Sequence, residues 1–441
     1  MRVAGVRRFR YFRYWLTRLL FILSILGPGF ITANVDNDAG GIYTYASTGA
    51  QFGYSILWTI IPVAIALTFA QEIAARMGVI TGKGLSELIR EHYGLRITFF
   101  VLAGLVTCNL FDVISEFAGV ATSMQLFSVS KFISVPIAAA LVWALVVFGD
   151  YKKLEKVFLV LSFLYIAYII TAFLAKPDWA EVGRQVVRLP SWKEFKNSEY
   201  LYAAAGIIGA TIAPWQQFYL QASVAEKASG KSGLKYMQAD AIVGSIFSVF
   251  IAGFIIVACS ATLFLHGQFR VADAADAAQS LKPLGGDYAF ILFAVGLLNA
   301  SLFAASILPL STAYTVCEAM GFESGLNKKI TEAKAFYGLY TALVAGGALI
   351  ILFPQLNPVK MAVFSQVLNG VLLPVVLVFV LQLVSKSELM GKYKNSRGYQ
   401  ACAWIITLAI TSIIVAMLVA QYWPHSSLKS LTAVLPYLIK R

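Results

Sequence analysis

Two aspartates lie in the middle of the first long apolar segment of the chain. Asp36 and Asp38 stand between the Gly-Pro-Gly sequence at 27–29 and the glycines Gly40 and Gly41. A carboxylate buried in hydrocarbon is costly unless a cation offsets its charge. Because lysine and arginine are scarce in the apolar segments, we expect a bound metal cation to be the partner. A basic side chain from another helix, or a loop between two re-entrant segments, is the alternative.

A proline interrupts a second apolar segment, at 198–224. Pro214 has no N–H and its ring clashes with the preceding turn, which should leave the carbonyls of Ala210 and Thr211 without helical partners. Freed carbonyl oxygens can bind a cation, and we expect these to face the two aspartates. A simple proline kink is the alternative, and Trp215 fits ordinary packing as well as a role in a site.

Other polar side chains also fall at predicted membrane depth. Gln216 follows the proline and needs a polar or wet surrounding. Asp112 and Glu116 are spaced i, i+4 and share one helix face, which suits an ion pathway or a structural pairing equally. Gln366 and Asn369 share a face in a later segment, where polar contacts between helices are the default and a site contribution is the alternative.

The composition indicates an all-α integral membrane protein. Of the 441 residues, 59% are hydrophobic and 13% are charged, which argues against a soluble fold. At roughly 20 residues per crossing, the apolar segments predict about eleven spans. The predicted spans are 19–48, 53–75, 97–127, 132–149, 157–174, 198–224, 237–265, 286–316, 335–354, 361–384 and 398–423.

The interrupted segments are the first and the sixth spans, five helices apart. This spacing is typical of the LeuT-type fold, in which two inverted five-helix repeats meet with unwound backbone near the membrane midplane. We expect one transmembrane domain over 1–441, with repeats at roughly 19–174 and 198–384 and an extra helix at roughly 398–423.

The formal net charge of +13 indicates membrane topology rather than nucleic-acid binding. The N-terminal segment carries six arginines and no acidic residue before its apolar run. Alternating the loops from a cytoplasmic N-terminus assigns most basic residues to the cytoplasm, and an odd number of spans then puts the C-terminus outside. We expect a metal ion and the lipid bilayer as partners, with no nucleic acid, no obligate protein partner and no cofactor.

Five runs of residues occur in an order that one membrane-protein family shares over most of the chain. They are Gly27-Pro28-Gly29-Phe30, Asp38-Ala39-Gly40-Gly41, Gly49-Ala50-Gln51-Phe52-Gly53-Tyr54, Arg76-Met77-Gly78-Val79-Ile80-Thr81-Gly82-Lys83-Gly84-Leu85 and Gly206-Ile207-Ile208-Gly209-Ala210-Thr211. These runs resemble the natural resistance-associated macrophage protein (Nramp) family. The resemblance implies a secondary transporter of divalent metal ions and not an enzyme.

The metal-binding motifs of the family are altered in this chain. The first-span motif Asp-Pro-Gly-Asn falls on 38–41, which keeps the aspartate and has glycine in place of asparagine. The sixth-span motif Met-Pro-His falls on 213–215, which keeps only the proline. The third-span motif Asp-Leu-Ala-Glu falls on 113–116, which keeps Glu116 while the aspartate is displaced to Asp112.

The resemblance implies that manganese and iron are bound in the family by this aspartate, the asparagine, the methionine sulfur and the carbonyl at the position of Ala210. Ala213 removes the thioether, which favours softer transition metals, and Gly41 and Ala213 together should leave a larger cavity. A larger, all-oxygen cavity suits Mg²⁺, which keeps several of its waters. Asp36 and Asn37, which have no counterpart in the motif, would add oxygens.

These departures are similar to those of the Nramp-related magnesium transporters, a divergent branch of the family. With Trp215 in place of the histidine, we expect downhill import of Mg²⁺, and also of Mn²⁺, across the plasma membrane without proton coupling. The alternatives are a proton-coupled Mn²⁺ or Fe²⁺ transporter, an aluminium-transporting relative, a channel, an amino-acid transporter and a membrane enzyme. The two aspartates argue against binding an amino-acid carboxylate, and no catalytic motif supports an enzyme.

Overall fold

The chain folds into a bundle of helices. The computed structural model describes residues 26–227, 230–267, 269, 271, 274–353 and 358–422, and no strand occurs among them. The helices before the sixth span are α1 (Pro28–Val35), α2 (Ala39–Phe52), α3 (Ile60–Thr81), α4 (Leu85–Gln125), α5 (Lys131–Val147), α6 (Tyr151–Leu164), α7 (Ile166–Leu174), α8 (Trp179–Val187) and α9 (Trp192–Lys196). Those that follow are α10 (Ser198–Thr211), α11 (Pro214–Lys227), α12 (Leu234–Thr262), α13 (Ala274–Met320), α14 (Lys334–Leu352), α15 (Pro358–Ser385), α16 (Ser387–Met390) and α17 (Arg397–Tyr422). Short 3₁₀ helices cover Gly53–Thr59, Lys231–Gly233, Phe264–His266 and Gly391–Tyr393.

Eight helical stretches of the described residues are long and apolar enough to cross a membrane. α5 is shorter, and the first and sixth predicted spans are each divided into two half-helices. These elements match the predicted spans and confirm the all-α membrane fold. The basic N-terminus, the start of the first predicted span and the last residue of the predicted extra helix lie outside the described residues.

The first span is divided at a short break that has an aspartate at each end. Asp36 is the C-cap residue of α1. Asp38 has an extended backbone, and its Oδ1 accepts the N–H of Gly41 at 2.6 Å, which makes it the N-cap of α2. Aspartate is favoured at this position because its oxygen satisfies an otherwise unpaired N–H of the first turn. The break therefore occupies only residues 36–38.

The sixth span is divided at Pro214, the first residue of α11. In a continuous helix the N–H of Ala213 would bond the carbonyl of Gly209, but it donates instead to Oδ2 of Asp36 at 3.2 Å. Pro214 has no N–H to offer to the carbonyl of Ala210. Two successive carbonyls therefore lose their helical partners at the end of α10, as the sequence predicts for Ala210.

α4 and α13 each turn sharply at a glycine near their N-terminal ends. Gly94 has φ 81° and ψ 169°, and Gly286 has φ 82° and ψ 176°. Positive φ values of this kind strain any residue with a side chain, so glycine is required at both turns. Each glycine separates a short leading helix from a long membrane-crossing one. The predicted spans 97–127 and 286–316 missed these leading helices.

α12 holds the first broken helix in the centre of the bundle. It packs along both α1 and α2, and α10 packs against α2 and α15. An added Cβ on Gly29 would lie 2.7 Å from the Ala241 Cα, and one on Gly244 would lie 2.5 Å from the Phe30 Cα. Small residues therefore let the backbones of α1 and α12 touch, as is common between membrane helices.

Candidate metal-ion site

Asp36 joins the two broken helices. Its Oδ2 accepts the N–H of Ala213 at 3.2 Å, and the residue is only 2% exposed. Asp36 follows the last residue of α1, and Ala213 follows the end of α10, so the C-terminal ends of two half-helices converge here. Helix C-terminal ends carry partial negative charge from unpaired carbonyls. Their convergence beside a carboxylate favours a cation.

Asp38 lies on the other side of the first break, at the N-terminal end of α2. The N–H of Ala39 in the same turn donates to Oε2 of Glu116 at 3.2 Å. The N–H groups of Ala39 and Gly41 donate to these carboxyl oxygens at the positive end of the α2 dipole, an arrangement that favours negative charge there. Oε1 of Glu116 is buried without a hydrogen-bond partner. α4 thus brings a third carboxylate to the break.

Tyr45 connects α2 to the end of α10. Its hydroxyl oxygen lies 3.2 Å from the carbonyl oxygen of Ala210 and 2.8 Å from Oγ1 of Thr211. Oγ1 of Thr211 also lies 2.7 Å from the carbonyl oxygen of Ile207. The carbonyl that Pro214 deprives of its helical partner is therefore positioned by a side chain from the other broken span.

Two glutamine amides lie beside the breaks. Nε2 of Gln216 lies 3.5 Å from the carbonyl oxygen of Thr32 in α1, and its Oε1 is buried without a partner. Nε2 of Gln366 lies against Gly40 in the first turn of α2. A Cβ added to Gly40 would come within 2.5 Å of this nitrogen. A buried, unpartnered amide oxygen is a candidate ligand for a hard cation.

The carboxylates at the breaks take part in no ion pair within the part of the chain that the structure describes; the buried ion pair there joins Arg76 to Glu72. Asp38 lies within electrostatic range of Asp112 and Glu116. Like charges repel strongly in a low-dielectric interior unless a cation lies between them or one of the groups is protonated. No three His, Cys, Asp or Glu side chains of the described residues converge closely enough to hold a metal ion by themselves. Carbonyl, amide and water oxygens would have to complete its coordination.

Two predicted site residues make contacts with groups other than the Asp36 carboxylate. Nδ2 of Asn37 donates to the carbonyl oxygen of Ser248 at 3.3 Å and to its Oγ at 3.0 Å, which ties the first break to α12. The buried ring of Trp215 lies 6.3 Å from that of Tyr219, centroid to centroid, in ordinary aromatic packing. Oδ1 of Asn37 is buried without a hydrogen-bond partner.

Asp112 and Asn369 form a separate contact between α4 and α15. Nδ2 of Asn369 donates to both carboxylate oxygens of Asp112, at 3.2 and 3.0 Å. Ser365, one turn earlier in α15, also hydrogen bonds with Asp112. The two helices are therefore joined by the kind of polar contact that the spacing in α15 predicts by default.

The space beside Gly41 is filled in this conformation. A Cβ at this position would meet the carbonyl oxygen of Asp36 and would lie 3.2 Å from Oδ1 of Asp38. A side chain would therefore have no room at Gly41 in this conformation, and the larger cavity expected from Gly41 and Ala213 stays a prediction. Asp38 and Gly41 lie close together because the Asp38 side chain caps the turn that contains Gly41.

The sequence matches the family described as natural resistance-associated macrophage protein-like over residues 29–420. The chain belongs to the Nramp family. The match spans both breaks and every side chain described above. This Nramp protein is therefore a multi-pass membrane transporter of divalent metal ions, and it is not an enzyme.

Solved transporter structures share the fold of this Nramp protein. A structure of the manganese transporter of Eremococcus coleocola, in complex with an aromatic bis-isothiourea substituted compound, is 20% identical with a TM-score of 0.70, covering 97% of this chain and 92% of that chain. A mutant of the same transporter is 21% identical with a TM-score of 0.70, covering 95% of this chain and 91% of that chain. Mhp1, a nucleobase-cation-symport-1 family transporter in a closed conformation, is 14% identical with a TM-score of 0.55, covering 89% and 91%. The predicted LeuT-type fold is confirmed.

Tyr45 is the residue of this Nramp site that the sequence does not reveal. It lies in an apolar helix whose other aromatic residues, Tyr43 and Phe52, pack partly buried against the core, so its type and spacing carry no signal. A proline four residues after Ala210 predicts a free carbonyl, but only the fold shows which donor from another span reaches it.

Proposed function

We propose that this Nramp protein imports Mg²⁺, and also Mn²⁺, by alternating access and without coupling to protons. The observation that carries the proposal is a donor set made of oxygens: the carboxylates of Asp36 and Asp38, the carbonyl of Ala210 and the amide oxygen of Gln216. Hard oxygen donors suit Mg²⁺ and are also accepted by Mn²⁺. Ala213 has a methyl group where the family motif has a thioether, so softer transition metals gain no preference.

Hydration of the ion requires the broken helices to move. Mg²⁺ dehydrates reluctantly and keeps several waters when it binds a protein. Because the space beside Gly41 is filled here, a hydrated ion needs a conformation in which the half-helices lie further apart. Alternating access supplies such conformations, since it moves helices of one repeat against the other around a central site. Transport should therefore saturate with ion concentration, unlike conduction through a channel.

The absence of proton coupling is inferred from two changes in the family motifs. Trp215 stands where the family motif has a histidine, and it is buried in aromatic packing. Asp112, the displaced third-span aspartate, is held by Asn369. Of the third-span motif, only the glutamate stands at its family position, as Glu116. Its Oε2 accepts the N–H of Ala39 at the start of α2.

We also infer a plasma-membrane location with a cytoplasmic N-terminus and an external C-terminus, as the arginines of the N-terminal segment favour. The repeats are assigned to roughly 19–174 and 198–384, and the extra helix to roughly 398–423. The matching glycine turns of α4 and α13, the third membrane-crossing helix of each repeat, support this assignment.

Uptake into proteoliposomes tests the proposal directly. Vesicles loaded with a magnesium-sensitive dye should report saturable Mg²⁺ uptake, while a pH reporter in parallel vesicles stays flat. Asp38→Ala should abolish uptake. Asp150→Asn, which alters an exposed carboxylate outside the membrane, is the matched control and should transport normally. Mg²⁺ flux through Asp38→Ala would show that the site is wrong.

A proton-coupled Mn²⁺ or Fe²⁺ transporter is the second candidate. The unpartnered Oε1 of Glu116 favours it, because a buried carboxyl oxygen beside a metal site can carry a proton. It predicts acidification of the vesicle lumen during metal uptake, and Mn²⁺ uptake that excess Mg²⁺ does not inhibit. An aluminium-transporting relative would instead move Al³⁺ in the same vesicles.

A further inference from the structure

We propose that Tyr45 and Thr211 form a hydroxyl relay that occupies the Ala210 carbonyl oxygen in the empty site and releases it to the metal ion. Tyr45 is then a positioning residue for the substrate, acting through this carbonyl. The inference rests on the proposed function, because it takes the Ala210 oxygen as a ligand of the transported ion.

The starting point is a carbonyl without a helical partner. Pro214 occupies the position whose N–H would bond Ala210 in a continuous helix. Ala210 is 2% exposed and Tyr45 is 0% exposed, so water does not reach this oxygen freely. A buried carbonyl without a donor is costly, and the Tyr45 hydroxyl at 3.2 Å supplies one.

Two hydrogen-bond arrangements fit the same oxygen positions. In the first, Tyr45 donates to the Ala210 carbonyl and Thr211 donates to Tyr45 across 2.8 Å. In the second, Thr211 donates to the Ile207 carbonyl at 2.7 Å, and Tyr45 donates to Thr211. Hydroxyl hydrogens rotate freely between such partners. Only the first arrangement engages the Ala210 oxygen.

A metal ion selects between these arrangements. A cation bound to the Ala210 oxygen repels a proton donor aimed at the same lone pairs. The Tyr45 proton then turns to Thr211, and the Thr211 proton turns to Ile207, so each hydroxyl keeps a partner. The Ala210 oxygen thereby changes its partner from the Tyr45 hydroxyl to the metal ion, and no buried polar group is left unpaired.

The relay also links the two repeats. Tyr45 belongs to α2 in the first broken span, and the other three groups belong to α10 in the second. Metal binding at the Ala210 oxygen therefore loosens one hydrogen bond between the two half-helices that alternating access must move apart.

The relay predicts that removing the hydroxyl of Tyr45 and removing that of Thr211 change Mg²⁺ affinity in opposite directions. Tyr45→Phe leaves the carbonyl of the empty site without a donor, so Mg²⁺ binding should tighten roughly five- to tenfold while maximal uptake falls because release slows. Thr211→Val removes the alternative acceptor and keeps Tyr45 on the carbonyl, so Mg²⁺ binding should weaken by a similar factor. Thr211→Ser keeps a hydroxyl and should restore wild-type affinity.

A matched control separates the relay from a loss of stability. Tyr340 also donates its hydroxyl to a buried carbonyl, that of Val142, at 3.2 Å, on helices remote from the breaks. Tyr340→Phe therefore removes the same kind of hydrogen bond from the protein. It should lower thermal stability about as much as Tyr45→Phe and leave Mg²⁺ affinity unchanged.

The experiment measures Mg²⁺ and Mn²⁺ binding to the full-length protein by titration calorimetry, with uptake kinetics in proteoliposomes. Opposite shifts for Tyr45→Phe and Thr211→Val, with rescue by Thr211→Ser, are expected. Equal affinities, or weaker binding by Tyr45→Phe, would overturn the relay and leave the metal site standing. A wild-type protein that binds neither ion would overturn the proposed function and the relay together.

Discussion

Ala213 contributes two different groups to the sixth-span break. Its N–H donates to Asp36, which holds that carboxylate against the end of α10. Its methyl group occupies the position where the family motif carries sulfur. The first contribution belongs to the backbone and survives any substitution other than proline, whereas the second depends on the side chain. Metal preference can therefore be altered here without moving Asp36.

Replacing this methyl group by a thioether should change selectivity. Ala213→Met is expected to raise the preference for Mn²⁺ over Mg²⁺ by about tenfold, because a soft sulfur ligand adds affinity for transition metals only. Competition uptake with both ions measures the ratio. Ala213→Leu is the matched control, since it adds similar volume without sulfur. Gly41→Asn is unsuited to this test because its Cβ would meet the Asp36 carbonyl oxygen. An unchanged ratio in Ala213→Met would contradict the donor-set argument.

Neighbouring residues of the first break should respond differently to substitution. Asp36→Asn keeps an oxygen for the Ala213 N–H but loses the charge, so Mg²⁺ affinity should fall by at least tenfold with little change in melting temperature. Asn37→Ala loses the hydrogen bonds to Ser248 and should lower stability by about 1 kcal/mol while affinity is kept. Calorimetric binding and thermal unfolding measure the two effects. Equal loss of affinity in both variants would place the Asn37 amide in the site.

At the scale of elements, α1 is held at its N-terminal end by a side chain of α12. Asp240 accepts the N–H groups of Gly27, Gly29 and Phe30, at 2.8, 2.7 and 3.1 Å. These are the unpaired donors of a helix start, and a carboxylate is also favoured there by the helix dipole. A salt bridge between Lys227 and Glu155, at 2.6 Å, lies beside the same turn. α1 is therefore fastened to its neighbours at the end opposite the break.

Removing the Asp240 carboxylate should free α1. Asp240→Ala leaves three helix-start N–H groups unpaired, so stability should fall by about 2–4 kcal/mol. A cysteine introduced by Ile31→Cys, buried on α1, should then react faster with a thiol reagent. Cys402, which is exposed, is first replaced by serine. Asp178→Ala, which removes an exposed cap from α8, is the control. An unchanged labelling rate would mean that other contacts hold α1 in place.

At the scale of the whole molecule, a buried polar network joins three helices away from the breaks. Glu72 and Arg76 of α3 form an ion pair at 2.9 Å, as their i, i+4 spacing predicts. Gln238 of α12 and Tyr399 of α17 each donate to Glu72 at 2.6 Å. Arg76 also donates to the segment before α17, including the Tyr393 carbonyl at 2.7 Å. The extra helix is thereby attached to the bundle.

Breaking this network should destabilise the protein without changing its substrate. Glu72→Ala leaves Arg76 buried and unpaired, which should cost about 3–5 kcal/mol. Replacing both residues, Glu72→Leu with Arg76→Leu, should cost less, because no charge is left alone. Thermal unfolding measures the stability of the two variants. Mg²⁺ affinity should equal that of the wild type in both. A double variant less stable than Glu72→Ala would contradict the network argument.

The sequence by itself determined the all-α membrane fold, the two breaks and the family, because apolar length, proline and membrane-buried aspartates carry these features locally. It also placed Asp36, Asp38 and Ala210 at the breaks, where the structure has them. It missed the short helices α8 and α9, whose mixed composition resembles a loop.

Only the tertiary structure decided which groups meet. The contacts of Asp36 with Ala213 and of Tyr45 with Ala210 join residues more than a hundred positions apart. The direction of the Asn37 amide and the filled space beside Gly41 depend on how the turn between α1 and α2 packs. Residue type and spacing fix what a group can do, whereas its partner depends on the packing of distant helices, which short-range patterns do not encode.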